Sequence, residues 1–268
     1  MIERRSLKDS LTVAGGQAVP KGLAGARGRP EKSGLVDRRT WLRLALASGS
    51  ASLVAACGWD GGNVIRPRLL DLSRVNDWVG EHVLFSPTHL ARTYDVAERS
   101  AALPSYFISD SVPVLSDPAA WRLRVDGLVR TPLSLSLDDL QRLPSVTYTV
   151  KHTCVEGWSA IATWTGVPVS AIAERCGMLP AARFINFASF DAGYFNGWDL
   201  ASAMHPQTIL AYAMNDRLLM PDHGAPARLY SPTKLGYKLT KYLVSLTFTA
   251  DRPGGYWEDQ GYPWFGGV

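Results

Sequence analysis

Val146-Thr147-Tyr148-Thr149-Val150 forms a strongly β-like stretch of this chain, and Lys151-His152-Thr153-Cys154 follows it directly. β-Branched and aromatic residues are typical of strands. A loop that follows a strand is held by a rigid scaffold, and functional residues are concentrated in such loops. The sequence therefore predicts a strand that leads straight into a functional loop around Cys154.

Patterns on both sides of this stretch predict an α+β domain with mixed or antiparallel sheets. Apolar and polar residues alternate over residues 121–126 and again over residues 133–137. Further strands are predicted for residues 184–188, 228–230, 244–249 and, as a strand or a short helix, 209–214. Short helices are predicted for residues 68–81, 138–143, 167–176 and, as a helix or a turn, 199–204. The absence of a regular βαβ rhythm argues against a doubly wound parallel sheet.

The composition indicates a folded protein that does not bind nucleic acid. Hydrophobic residues make up 46% of the 268 residues and charged residues 19%, which is ordinary for a globular protein. The net charge of +4 is small, and the basic residues are scattered apart from a basic N-terminal segment. Cys57, Cys154 and Cys176 are too few, and odd in number, for a disulfide framework. Cys176 is predicted to be a buried helix residue.

The first 57 residues predict a disordered leader that ends in an export signal. Arg38-Arg39 precedes a moderately apolar stretch, residues 42–56, which is too short and too weakly apolar for a membrane span. This order is typical of a twin-arginine signal, and the alternative is a surface helix with a chance arginine pair. Small residues before Cys57 are typical of a lipoprotein signal, or Cys57 follows an ordinary cleavage region by chance. We expect export in the folded state to the periplasm or the outer face of the cytoplasmic membrane, with Cys57 as a candidate lipid anchor.

The residues around Cys154, taken by themselves, are compatible with three roles for this cysteine. It is a metal ligand, a catalytic nucleophile or an inert buried thiol. Lys151 and His152 place cations close by in the sequence, and we expect them to lower the pKa of the thiol. The sequence contains no Cys-x-x-Cys motif or histidine cluster that suits a zinc or iron–sulfur site. The residues alone leave the three roles open.

Cys154-Val155-Glu156-Gly157-Trp158-Ser159, followed by Trp164-Thr165-Gly166-Val167-Pro168, resembles the molybdenum-ligand segment of the sulfite oxidase superfamily. It is especially similar to the bacterial periplasmic branch that includes the catalytic subunit of the protein-methionine-sulfoxide reductase. Further segments resemble that family in the expected order: residues 107–113, residues 223–229 with 236–241, and residues 255–258. The resemblance spans about residues 104–258.

The resemblance implies a molybdenum-molybdopterin cofactor (Mo-MPT), with the Cys154 thiolate as the protein's ligand to the metal. It implies a molybdopterin-binding catalytic domain over residues 104–268, preceded by an N-terminal extension over residues 58–103. The residues implied to contact the cofactor are Phe107, Ile108, Ser109, Asp110, Ser111, Ser189, Asp191, His223, Arg228, Leu239, Thr240 and Lys241. Trp158 and Trp164 either wall the metal pocket or pack in the core.

The implied cofactor contacts have simpler alternatives. Arg228 and Lys241 carry charges that suit a pterin phosphate, whereas an isolated pair of this kind is usually solvated on the surface. Ser189 and Asp191 either contact the cofactor or only connect a strand to a turn. Within the spacing of the resembling segments, the cofactor interpretation is favoured for Arg228 and Lys241.

The chain departs from animal and plant sulfite oxidases at Ser109, where those enzymes carry an arginine that helps to bind sulfite. Loss of this fixed charge disfavours a doubly charged oxyanion. We therefore expect oxygen-atom transfer that reduces an S-oxide or N-oxide, rather than sulfite oxidation. A membrane cytochrome or a quinone-linked partner is expected to exchange the electrons. The haem and dimerisation domains of the eukaryotic enzymes have no counterpart in the sequence, so we expect a monomer.

Several functional assignments stay open in the sequence. Asp110, Glu156 and Asp191 are candidate proton donors. One alternative function is a non-catalytic lipoprotein that binds the pterin or another anion. Another is a cysteine-nucleophile hydrolase that uses Cys154 and His152.

Overall fold

The computed structural model describes Leu72, residues 74–191 and residues 193–268; the predicted leader, its export signal and Cys57 lie outside the described residues. The strands are β1 Leu123–Gly127, β2 Leu133–Leu135, β3 Val146–Thr153, β4 Ser159–Pro168, β5 Phe184–Ser189, β6 Phe195–Asp199, β7 Ile209–Met214, β8 Arg217–Leu218, β9 Arg228–Tyr230 and β10 Leu243–Thr249. The α-helices with defined ends are α1 Leu137–Gln141, α2 Val169–Cys176 and α3 Leu200–Ala203. Single helical turns lie at Gly80–Leu84, Val96–Glu98, Pro118–Ala120, Pro221–His223, Gly236–Lys238 and Glu258–Gln260.

The strands form two sheets, which confirms the predicted α+β class with mixed and antiparallel pairing. The first sheet has the order β2-β1-β10-β5-β6, in which only the β1–β10 pair is parallel. The second sheet has the order β3-β4-β7-β8, with β9 paired to β7, and all of its pairs are antiparallel. Short helices between the strands cover parts of these sheets, as in other α+β folds.

The hairpin of β3 and β4 positions Cys154. The pairing runs from Val146 opposite Gly166 to Thr153 opposite Ser159, so residues 154–158 form the connecting loop. The Cys154 N–H donates to the Trp158 carbonyl at 3.0 Å, which closes this loop. The predicted strand is therefore longer than expected at its C-terminal end, and it delivers Cys154 at a fixed point of the sheet.

The predicted elements and the observed ones differ mainly at their ends. Helix α2 begins at Val169 rather than at residue 167, because Val167 and Pro168 still pair with β7. It ends at Gly177 as predicted, and Cys176 is completely buried in it. Strand β6 was missed because it contains asparagine and glycine, which are depleted in strands.

The N-terminal part of the described chain packs on the catalytic part. Residues 74–79 are helical and lead into Gly80–Leu84, whereas residues 68–71 of the predicted helix lie outside the description. The Asp77 carboxylate accepts the backbone N–H groups of Phe265 and Gly266. Among the described residues, no helix has the length and apolar character needed to cross a membrane.

The structure decides between the two positions predicted for Trp164, the wall of the metal pocket and the core. This side chain is fully buried and stacks on Tyr230 with 4.1 Å between ring centroids. Trp164 therefore packs in the core, whereas Trp158 is half-buried beside Cys154.

Gly127 at the end of β1 gives a direct test of this packing. A Cβ atom there would lie 2.2 Å from the Phe248 carbonyl oxygen, and the residue has a φ of 84°. Gly193 has a similar φ of 75°, but no heavy atom of the described residues lies within 4 Å of the corresponding position. We expect Gly193→Ala to cost about 1 kcal/mol from backbone strain. Gly127→Ala should cost about 2 kcal/mol more, because β10 must move.

The measurement is chemical unfolding of both variants beside the unsubstituted chain. Equal losses of unfolding free energy for the two variants would contradict the close β1–β10 contact.

Candidate active site

A cavity of about 340 Å³ opens beside Cys154. It brings together segments that are far apart in the sequence, including the β3–β4 loop and the regions before β9 and before β10. The predicted site residues that line it are Phe107, Ile108, Cys154, Ser189, Asp191, His223, Arg228, Leu239 and Lys241. The predicted residues that do not line it are Ser109, Asp110, Ser111 and Thr240.

The environment of the Cys154 thiol differs from the one expected from its sequence neighbours. Burial raises the pKa of Cys154 instead of lowering it. His152 is buried, and its burial, followed by repulsion from Arg228 and Lys241, lowers its pKa to about 3. Lys151 is exposed, since neighbouring residues of a strand point to opposite faces. The expectation that these two residues lower the thiol pKa is therefore wrong, and a bound metal would have to supply the charge that stabilises a thiolate.

Arg228 is a buried cation that forms no salt bridge with a carboxylate in the described part of the chain. Only 4% of the residue is exposed, and its guanidinium donates to the carbonyl oxygens of His223 at 3.1 Å and Leu239 at 3.2 Å. The guanidinium also lies over the Trp164 ring, 5.1 Å from the centroid. Burial lowers the pKa of Arg228 to about 10, so the group stays charged at neutral pH. The alternative of a solvated surface arginine is wrong.

Lys241 is the second cation in the cavity. Its Nζ donates to Ser105 Oγ and to the Asp222 carbonyl oxygen, each at 3.0 Å. Burial, and then repulsion from Arg228, lowers the pKa of Lys241 to about 7. Within the described part of the chain, neither Arg228 nor Lys241 forms a salt bridge. Two neighbouring cations without a salt-bridge partner among the described residues point to an anionic group as the ligand of this cavity.

Unpaired polar atoms support the same conclusion. The Nδ1 atoms of His152 and His223 and the hydroxyl of Tyr242 are buried without a hydrogen-bond partner, and all three residues line the cavity. Tyr242 also has a φ of 55°, a strained conformation that occurs often at functional sites. Buried polar groups normally have partners, so these atoms fit a ligand with several hydrogen-bonding groups. A pterin with a phosphate has that chemistry.

Asp191 holds the segment that contains Phe107 and Ile108. Its carboxylate accepts the N–H of Ile108 at 2.7 Å, the N–H of Ser109 at 2.9 Å and the Ser109 hydroxyl at 2.6 Å. Asp191 is 3% exposed, and its own N–H donates to Ser189 Oγ. These bonds turn the Ser109 side chain away from the cavity, and Asp110 beyond it lies on the surface. Asp191 therefore organises the wall of the cavity, and its oxygens are already occupied.

The turn Gly236–Lys238 forms another wall and is fixed from behind. The Tyr237 carbonyl accepts the hydroxyl of Tyr194 and the Nδ2 of Asn196, and the Lys238 carbonyl accepts the Trp198 indole N–H. The Lys238 ammonium forms a buried ion pair with Glu258. Breaking such a pair leaves an uncompensated charge, so the turn has little freedom to move.

Aromatic side chains make up a part of the cavity that the sequence did not predict. They are Tyr106, Tyr194, Tyr237, Tyr242, Trp257 and Tyr262. At the rim, Tyr106 and Trp158 lie with ring centroids 6.3 Å apart, and the Trp158 indole donates to Glu156 at 3.1 Å. Tyr237 and Trp257 fall in segments that the sequence had singled out, whereas Tyr106 and Tyr262 carry no spacing signal.

The residues present fit the implied cofactor. Cys154 offers one soft ligand, and Arg228, Lys241 and His223 line the same cavity with charges and donors that suit a phosphate. Among the described residues, no cluster of three or more His, Cys, Asp or Glu side chains could hold a metal ion. The contacts implied for Ser109, Asp110, Ser111 and Thr240 stay predictions.

Comparisons with known proteins agree with this geometry. The family described as "Oxidoreductase molybdopterin binding domain" matches residues 109–257. The "Putative protein-methionine-sulfoxide reductase subunit YedZ1" of Azospira oryzae is 40% identical over 235 residues, which cover 87% of this chain and 88% of that protein. The "Protein-methionine-sulfoxide reductase catalytic subunit MsrP" of Campylobacter jejuni is 31% identical over 154 residues, 52% of each chain. The "Uncharacterized oxidoreductase YuiH" of Bacillus subtilis is 33% identical over 57% of this chain and 80% of that protein.

The low pKa of Lys241 predicts a pH-dependent affinity for anions in chain prepared without cofactor. An anion binds best when Lys241 is protonated, so above pH 7 binding must take up a proton. We expect the affinity for sulfate, which does not titrate in this range, to fall about tenfold from pH 6 to pH 8. Lys241→Arg keeps the charge without this titration and should make the profile nearly flat.

Calorimetric titration with sulfate measures both profiles. A profile that is equally steep in the chain and in Lys241→Arg would show that another group takes up the proton.

Proposed function

Because this chain belongs to the oxidoreductase molybdopterin binding domain family, we propose that it reduces a neutral S-oxide. The membership confirms the predicted molybdenum-dependent oxidoreductase class, molybdenum-molybdopterin as the cofactor and the resemblance to the sulfite oxidase superfamily. The chain spans about half the length of the MsrP relative. The substrate, the partner and the location are therefore proposals.

The charge at the cavity mouth is the observation that favours a neutral substrate. Ser109 stands where sulfite oxidases have an anion-binding arginine, and its hydroxyl is bound to Asp191. Glu156 lies on the cavity wall, close enough for its charge to disfavour the Cys154 thiolate. With Arg228 and Lys241 occupied by the cofactor's anionic end, the Glu156 carboxylate would repel sulfite, whereas a neutral S-oxide has no charge to repel. An N-oxide meets the same condition and is the second substrate class.

The reaction consumes two electrons and two protons, and converts R₂S=O into R₂S and water. When bound, the molybdenum cofactor supplies two-electron oxygen-atom transfer. In this proposal Cys154 holds the metal, while Arg228, His223 and Lys241 hold the cofactor's anionic end. The protein supplies binding, orientation and electrostatics, and the cofactor supplies the redox chemistry.

The protons have one favoured source among the three candidates. Asp110 lies outside the cavity, and the Asp191 carboxylate is occupied by residues 108 and 109. Glu156 lines the cavity beside Cys154, and its carboxylate accepts hydrogen bonds from the Trp158 indole and the Tyr106 hydroxyl. Its carboxyl group is therefore placed to deliver a proton to the departing oxygen.

Electron supply and export complete the proposal. The names of two relatives call them subunits, which supports an electron-donating partner, and a membrane cytochrome or a quinone-linked protein suits that role. Arg38-Arg39 and the apolar stretch after it support export of the folded, loaded protein. Cys57 supports a lipid anchor that keeps the enzyme at the outer face of the cytoplasmic membrane.

The two alternative functions have less support. A hydrolase would need His152 as a general base, and a pKa of about 3 makes this histidine a poor one at neutral pH. A non-catalytic anion-binding lipoprotein would not need the half-exposed thiol of Cys154 beside the cation pair. The reductase uses both features.

Substitution of Cys154 tests the function. Cys154→Ala should retain the pterin, through Arg228 and Lys241, but lose molybdenum and lower the rate of dimethyl sulfoxide reduction more than about 100-fold. Cys176→Ala is the matched control, because Cys176 lies in the core outside the cavity. Elemental and pterin analysis with a reduced-viologen assay measures these quantities. Full molybdenum content in Cys154→Ala would refute the assigned ligand.

Export can be tested separately from catalysis. Replacing Arg38 and Arg39 by lysine should hold the loaded protein in the cytoplasm, because the twin-arginine route reads the arginine pair. Arg43→Lys, just inside the apolar stretch, is the matched control. Cell fractionation followed by immunoblotting gives the distribution, and normal export of the double variant would contradict the proposed signal.

A further inference from the structure

A second cavity, of about 640 Å³, lies directly beside the candidate active site. We call it the lateral groove. Leu103 and His223 line both cavities, so the two share a wall. The side chains of the lateral groove come from residues 100–103, 112 and 114, from β4, from the β7–β8 hairpin and from residues 220–223.

Lys241 holds the shared wall in place. The Ser105 hydroxyl donates to the Asp222 carbonyl oxygen, which joins the two segments that border both cavities. The Lys241 ammonium donates to both of these oxygens at 3.0 Å. The wall is therefore built from the same lysine that is proposed to hold the cofactor, and the groove and the active site have a fixed relation to each other.

The lateral groove is apolar and open to solvent. Its large apolar side chains are Leu103, Val112, Val114, Ile161, Met214, Leu218 and Met220. Val114 is 68% exposed, and Leu218 and Met220 are each 54% exposed. A group of exposed apolar side chains around one concavity marks a binding site more often than a chance surface. The charged residues Arg217 and Asp222 also line it, and their opposite signs leave the groove without a net charge.

We propose that the lateral groove binds an apolar side chain of a polypeptide substrate whose sulfoxide-bearing residue occupies the cavity at Cys154. This inference rests on the proposed S-oxide reduction and adds a preference for sequence around the oxidised residue. An extended chain rises about 3.3 Å per residue, so a side chain one or two positions from the sulfoxide reaches a neighbouring cavity. The shared wall at Leu103 and His223 places the two cavities side by side, which favours an occupant that reaches both over an unrelated ligand.

The size and chemistry of the groove suit this occupant. Its volume lies within the range of about 300–1,000 Å³ that is typical of ligand sites, and it exceeds the need of one side chain. Met214 and Met220 have flexible thioethers, which adapt to apolar groups of different shape. A small free S-oxide would fill only the first cavity, so the groove should affect KM for peptides and leave small substrates unchanged.

Peptide kinetics with the molybdenum-loaded full chain test the proposal. The substrates are acetylated pentapeptides of glycine with a central methionine sulfoxide and either leucine or serine at one of the four flanking positions. With reduced benzyl viologen as electron donor, leucine at one or more positions should lower KM about tenfold relative to serine, at similar kcat. Calorimetry with the corresponding methionine peptides should give the same order of affinity without turnover.

Two variants connect the preference to the groove. Leu218→Ser and Met220→Ser should each reduce the leucine preference several-fold, while KM for dimethyl sulfoxide stays unchanged. Leu90→Ser is the matched control, since Leu90 is 53% exposed and lines neither cavity. Molybdenum content and melting temperature verify that each variant is folded and loaded, and the two groove variants give independent readings.

The possible results distinguish a failure of the groove proposal from a failure of the proposed reductase function. Equal KM for all leucine and serine peptides, or a preference that persists in both groove variants, would overturn the proposal. A short-chain quinol that competes with the leucine peptide but not with dimethyl sulfoxide would assign the groove to an electron donor and overturn it as well. If neither dimethyl sulfoxide nor any peptide is reduced, the proposed function itself fails.

Discussion

The burial of Arg228 without a carboxylate partner is the interaction on which the site depends. Carbonyl oxygens and the Trp164 ring satisfy its donors and its face, but no negative charge in the described chain balances it. An unpaired buried charge is strongly unfavourable unless a ligand completes it. Burial, and then repulsion from this charge, lowers the pKa of both His152 and Lys241. The cavity therefore contains a buried cation without its counter-ion, and an anionic cofactor would supply the missing negative charge.

The groups around this charge are held in place by hydrogen bonds and an ion pair between the segments that form the cavity wall. Asp191 fixes the irregular segment at Ile108, and the Lys238–Glu258 pair fixes the turn that carries Tyr237. Each contact joins segments that are distant in the sequence, so the cavity is as rigid as the two sheets behind it. Such preorganisation allows a ligand to bind without the entropy loss of ordering the cavity walls.

Local patterns in the sequence predicted the elements that their own residues determine. The β3 strand, the glycine-ended helix α2 and the functional loop at Cys154 all follow from neighbouring residues. The resemblance added Arg228 and Lys241, which the folded chain brings to one cavity.

What the sequence could not predict depends on tertiary contacts. The thiol of Cys154 was expected to be acidic from its neighbours, yet burial decides its pKa in the opposite direction. The role of Asp191 depends on bonds to residues 82 and 83 positions away in the sequence. Single aromatic residues such as Tyr106 and Tyr262 reach the cavity only through the fold, and no periodicity marks them.

The uninterrupted pairing of β3 and β4 also restricts how this protein can diverge. Side chains of a strand alternate between faces, so one inserted residue would exchange the buried His152 with the exposed Lys151 and shift Cys154 away from Arg228. A substitution in this hairpin changes the packing of one side chain. An insertion or a deletion displaces all of the site residues that the hairpin positions. Alignments of functional relatives should therefore run without gaps through residues 146–168.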